Sequence, residues 1–69
     1  HIQLDFFSKM LKSAIENKFK KIIFIHGVGN GRLKQEMILK IRNEYPELKY
    51  QDASYFRYGK GATEIIISA

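Results

Sequence analysis

The sequence predicts an α/β fold with a mixed sheet, on three observations. Apolar residues recur at helical spacing in two stretches, short β-branched or aromatic runs alternate with them, and glycine clusters punctuate the joints. The order is helix, strand, helix, strand, turn, strand, with no internal repeat and no low-complexity stretch.

Leu4, Phe7, Leu11 and Ala14 recur at three- and four-residue steps, and Phe6, Met10 and Ile15 widen the stripe. An amphipathic helix is expected from Leu4 to about Lys18, with Ser8, Lys9, Lys12, Ser13 and Glu16 on its polar face and Asn17 as a left-handed terminator. Ile22-Ile23-Phe24-Ile25 is continuously apolar and reads as a central parallel strand, buried on both faces. His26-Gly27-Val28-Gly29-Asn30-Gly31 follows at once, with three glycines in five positions from Gly27 to Gly31, a density that helix and strand interiors do not tolerate.

A second helix starts at Gly31 or Arg32 and runs to about Glu44, with Leu33, Met37 and Ile41 on one stripe and Ile38 beside it. Pro46 stops it and pushes Tyr45 out of the helical region. Leu48 to Tyr55 reads as a strand of mixed polarity and Tyr58-Gly59-Lys60-Gly61 as a hairpin turn. Thr63 to Ile67 is the last strand, with Ile65 and Ile67 on one side and Glu64, Ile66 and Ser68 on the other. The strand at Ile22, the second helix and the strand near Tyr50 form a βαβ unit, right-handed if its strands are parallel. An antiparallel pairing of the last two strands makes the sheet mixed.

At 69 residues the chain has room for one domain, and area scaling gives about 4,500 Å² exposed when folded, with roughly 60% of the surface buried. The 45% hydrophobic and 28% charged fractions place it among globular proteins. Cys is absent, which excludes disulfides and thiolate metal sites. The longest apolar run, Ile22 to Ile25, is far short of a membrane span, and no basic-then-apolar leader opens the chain, so a soluble, cytoplasmic protein with no membrane partner is expected. Lys and Arg number 12 against 7 acidic residues, a net charge of +5, which fits a polyanionic partner and equally a solubility bias. Helical periodicity begins almost at His1 with no strand ahead of it, so residues 1–69 are expected to be one domain within a longer protein.

A strand that ends in a glycine-rich turn and opens a helix aims backbone N–H groups and the positive end of the helix dipole at the sheet edge, where anions bind. Gly27, Gly29, Asn30 and Gly31 are the candidate cradle, with Arg32 and Lys34 able to reach phosphate oxygens. A tight strand-to-helix connection would look the same. The spacing is neither a phosphate-binding Gly-Lys-Ser/Thr loop nor the dinucleotide fingerprint, because Gly27, Gly29 and Gly31 stand two apart. His26, last in its strand, is the candidate catalytic residue, placed to donate to a phosphate or shuttle a proton, and is equally suited to brace the loop. His1 and His26 are the only histidines, too few for a zinc site. In the second glycine segment Gly59, Lys60, Gly61 and Thr63 are candidates for phosphate contact, and Tyr50, Tyr55, Phe56 and Tyr58 lie around it with Arg57, where exposed rings would stack on unpaired bases.

The run from Ile23 through His26-Gly27-Val28-Gly29-Asn30-Gly31 to Arg32-Leu33-Lys34 resembles the signature of the Smr (small MutS-related) family. Gly59-Lys60-Gly61-Ala62-Thr63 before an apolar strand resembles that family's closing Gly-x-Gly-Ala-Thr motif. The resemblance covers nearly the whole chain and implies a two-layer α/β sandwich. In it, two helices lie on one face of a mixed sheet, similar to the C-terminal domain of translation initiation factor three. It also implies DNA or RNA as partner and the nicking or cleavage of DNA or RNA, with no cofactor fixed: magnesium or manganese is the candidate only if the chain is a nuclease, and metal dependence stays open. Two departures stand out. The family opens with a strand carrying Leu-Asp-x-His, whereas Leu4-Asp5 here falls in the predicted helix, and Tyr58 replaces the first glycine of the closing run. The missing Asp and His are among the residues implicated in cleavage, so binding without cutting is consistent with this sequence.

The competing reading is a protein-interaction module with a merely structural glycine loop. The apolar strand at Ile22 needs cover on the helix-free face of the sheet, from a neighbouring domain or a second copy of the chain. Small nucleotide binding ranks last, since no acidic ribose-binding residue stands at the expected offset.

Overall fold

Two amphipathic helices with apolar stripes and three short strands have one economical arrangement, with both stripes laid on the same face of the sheet. The computed structural model, which describes residues 2–68, has that arrangement. In chain order the elements are α1 (Ile2–Glu16), β1 (Lys21–Ile25), α2 (Arg32–Glu44), β2 (Lys49–Asp52), α3 (Tyr55–Tyr58) and β3 (Ala62–Ile66). The fold is α+β.

The core joins Phe7 and Leu11 of α1, Met37 and Ile41 of α2, Phe24 of β1 and Ile65 of β3. Phe7 meets Phe24 edge to face, with ring centroids 5.0 Å apart. Phe6 does not widen the stripe of α1, as its spacing suggested. It is exposed, because it sits a full 100° helical step from Phe7, beyond the flank that Met10 occupies. The terminator of α1 is Lys18 (φ 58), not Asn17. Lys18 N–H donates to the Ile15 carbonyl and Phe19 N–H to the Ala14 carbonyl, the paired bonds of a Schellman closure. Asn17 instead turns its amide back onto the carbonyl and hydroxyl of Ser13.

The sheet order is β1-β3-β2, and both pairings are antiparallel, so the expected mixed sheet is corrected. β1 and β2 do run parallel to each other, but β3 lies between them and no parallel ladder forms. Lys21 to Ile25 pair with Ile66 to Ala62, and Lys49 to Asp52 pair with Ile66 to Thr63. β1 is thus an edge strand of the described sheet, not a central one. By strand alternation Phe24, Thr63 and Ile65 face the helices, while Ile23, Ile25, Glu64 and Ile66 face away. Ile25 is 66% exposed there.

The second strand ends at Asp52, three residues short of the expected limit, and the hairpin turn is a nine-residue connection containing the single helical turn α3. An aromatic run such as Tyr55-Phe56 favours strands by propensity, and one helical turn is too short to show a period. Here local bonds decide: Tyr58 N–H reaches the Ser54 carbonyl and Gly59 N–H the Tyr55 carbonyl.

Leu11→Ala is expected to lower stability by about 3 kcal/mol, as for other fully buried leucines. Phe6→Ala, at an exposed site, should shift it by about 0.5 kcal/mol or less. Urea denaturation of the two variants checks both values.

Candidate nucleic-acid interface

Placing β3 between β1 and β2 puts the start of β3 beside the ends of both neighbours, so the loop after β1 and the connection after β2 meet at one edge. The two glycine motifs touch there. His26 and Gly27 both donate their backbone N–H to the Gly61 carbonyl, at 2.9 and 3.0 Å. Gly61 has φ +82, and a Cβ on it would lie 2.5 to 2.8 Å from the carbonyl carbon, oxygen and Cα of Gly27. Only glycine permits so close a backbone approach.

His26 continues the helix-facing side of β1 and is half-buried. Its Nδ1 lies 2.8 Å from the Gly27 carbonyl oxygen and its Nε2 lies 2.8 Å from Thr63 Oγ1. A carbonyl only accepts, so Nδ1 carries the proton. In the neutral ring Nε2 then accepts from the Thr63 hydroxyl. Thr63 is 1% exposed, so it lies beneath the surface and meets the site through His26.

The loop closes onto α2 by two further contacts. Gly31 N–H reaches the Val28 carbonyl, and Asn30 Oδ1 accepts the Arg32 N–H at 3.0 Å. Gly31 is the N-cap with left-handed φ 79 and ψ 1, and the Gln35 N–H bonds its carbonyl. Leu33 and Lys34 N–H fall among the first amides of the helix, which by geometry have no intrahelical acceptor. The segment from His26 to Lys34 walls a dent of about 50 Å³ that includes Gly29, Asn30 and Arg32. Arg32 is also paired with Glu36 at 3.6 Å.

Beside it the two glycine segments enclose a cleft of about 260 Å³. His26, Gly27, Gly31 and Lys34 form one wall, Gly59, Lys60 and Gly61 another, and Asp52, Ala53 and Tyr55 a third. The cleft thus gathers much of the proposed set from residues more than thirty positions apart. Gly29, Asn30 and Arg32 stand at the neighbouring dent, and Thr63 lies underneath.

Asp52 was invisible in the sequence as a site residue. Its carboxylate accepts from Lys34 Nζ at 3.0 Å across the cleft, and nothing in the local sequence around it signals that neighbour. Among the described residues no group of three or more His, Asp or Glu side chains converges as metal ligands, and His1 lies outside them. The walls of the cleft hold one carboxylate, Asp52, paired with Lys34, and one imidazole, His26, both of whose nitrogens are bonded.

A family model described as the Smr domain matches residues 4–68. Comparison with the curated proteins and with the solved structures gave no match.

The backbone contact makes a sharp prediction about the two glycines. Gly61→Ala combines a clash with backbone atoms and an unfavourable φ, so it should lower stability by roughly 3 kcal/mol or more. Gly31→Ala meets no atom within 4 Å and carries only the left-handed penalty, about 1 kcal/mol. Thermal melts of both variants would show the difference in order and size.

Proposed function

The chain belongs to the Smr domain family, and on that premise we propose that it binds DNA or RNA across the cleft where its two glycine segments meet. The observation that carries this reading is the convergence of Lys34 and Lys60 with His26 on one cleft, next to the amino end of α2. Cationic side chains and helix-end amides are the groups that hold phosphates, and they position a strand without reading its sequence. A net charge of +5 adds a long-range attraction for the same partner.

Lys34 is engaged with Asp52, yet that pair is solvated and worth little, so Lys34 can exchange the carboxylate for a phosphate at small cost. Asp52 then stands as a like charge beside the incoming strand. Gly27, Gly29, Asn30 and Gly31 shape the path, Arg32 and Lys60 extend the positive charge along it, and Gly59, Gly61 and Thr63 hold the far wall and the histidine. Strand nicking would fall to His26 as the proton carrier. Its Nε2 lone pair faces the Thr63 hydroxyl, so a proton from an attacking water reaches the ring once Thr63 yields that position or relays the proton.

A second reading rests on Ile25. An apolar side chain 66% exposed on the helix-free face of an edge strand favours a neighbouring domain or second copy of the chain docking there. Sedimentation of the wild type and of Ile25→Lys decides it, and identical monomers at tens of micromolar would sink the idea of self-association.

For the nucleic-acid reading, three phosphate contacts by Arg32, Lys34 and Lys60 predict that log affinity for duplex DNA falls against log salt with a slope of about −3. Lys60→Ala should flatten the slope by about 1, and Asp52→Asn should tighten binding severalfold by freeing Lys34. Fluorescence anisotropy over a salt series measures both, and a flat salt dependence refutes the reading. Cleavage of labelled branched DNA, duplex DNA and structured RNA, with and without magnesium or manganese, should disappear in His26→Ala if the chain nicks.

A further inference from the structure

The feature that phosphate binding leaves unexplained is α3. Phe56 is 98% exposed and Tyr55 61%, on a turn closed by its own backbone bonds and by the Gly59 terminus. Neither ring belongs to the core. A phenylalanine fully in water gains nothing for the fold, and neighbouring exposed rings mark a contact surface for a partner. Their setting is cationic, with exposed Arg57 next in sequence to Phe56 and exposed Lys60 just beyond the turn. Tyr55 also forms part of the cleft wall, so the rings and the phosphate-facing groups share one continuous surface.

We propose that α3 is a stacking platform for unpaired nucleobases, and that the partner is single-stranded nucleic acid whose backbone lies in the cleft while its bases turn onto Phe56 and Tyr55. This inference rests on the nucleic-acid reading above and names the form of its substrate. Bases in a duplex bury their faces against one another, so only an unpaired base can offer a face to an exposed ring. The two rings stand 6.0 Å apart and are inclined at 73°, so they cannot both lie flat on one base and instead make two base positions. Arg57 and Lys60 favour a polyanion over an apolar protein partner at the same surface.

The test is fluorescence anisotropy with three labelled probes: an oligothymidylate of about a dozen nucleotides, an abasic strand of equal length, and a duplex of the same length. The oligothymidylate should bind more tightly than the abasic strand. Phe56→Ala should weaken oligothymidylate binding about five- to a hundredfold, and Phe56→Trp should restore it. Neither variant should change abasic or duplex binding or the melting temperature, since the side chain is almost wholly exposed and lies outside the core. If Phe56→Ala leaves oligothymidylate affinity unchanged while binding stays salt-dependent, the platform is refuted and the cleft reading survives. If no probe binds in a salt-dependent way, both fall. Loss of self-association in Phe56→Ala, with oligothymidylate affinity unaltered, would assign the rings to a protein contact and overturn the proposal.

Discussion

Gly61 rests against Gly27 with no space for a methyl group between them, and the geometry of the site descends from that contact. The Gly61 carbonyl accepts two successive amides, those of His26 and Gly27, and so carries the β1–β3 pairing beyond the last paired residue, Ile25. Once that carbonyl is fixed, Thr63 falls beneath the His26 ring and Lys60 reaches the cleft mouth. A backbone contact thereby orients an imidazole, and the second glycine segment is part of the histidine's support.

The strand order gives this contact its leverage. Neighbouring strands lie about 4.8 Å apart, so a sheet ordered β1-β2-β3 would hold Gly61 roughly 10 Å from Gly27 and leave the two motifs separated by a strand. Insertion of β3 between its neighbours closes that gap. The same insertion brings Asp52 to Lys34 and turns both β1 and β2 into edges, one of which leaves Ile25 open to water. The folded chain exposes 5194 Å², above the roughly 4,500 Å² expected for its mass, and Ile25, Tyr55 and Phe56 contribute to that excess.

What the sequence made legible was local. The stripes of α1 and α2, the stop at Pro46 and the alternation around Ile65 each rest on spacings of a few residues, and all appear in the fold apart from Phe6, which lies off the stripe of α1. Both glycine segments and His26 were visible by composition and position. The strand order was not, because β-pairing is set by contacts dozens of residues apart, and a helical crossover suggests a parallel ladder whether or not another strand intervenes. The His26–Thr63 bond spans 37 residues and shares that opacity. Asp52 was hidden for the same reason, and α3 because one turn of aromatic residues carries a strand's propensity.

The central place of β3 also governs how the molecule is assembled during synthesis. In the described sheet β1 and β2 have no partner but β3, so until β3 has left the ribosome neither of those strands can pair. Helices close in about a microsecond, whereas a ladder joining Lys21 to Ile66 must wait for the later residue to emerge. When β3 arrives it completes both ladders, seats Gly61 on Gly27 and gives His26 its hydroxyl partner in one cooperative step. A nascent chain that has emerged only as far as Gly61 would therefore have neither sheet nor cleft, which makes the closing motif the timer of folding as well as a wall of the site.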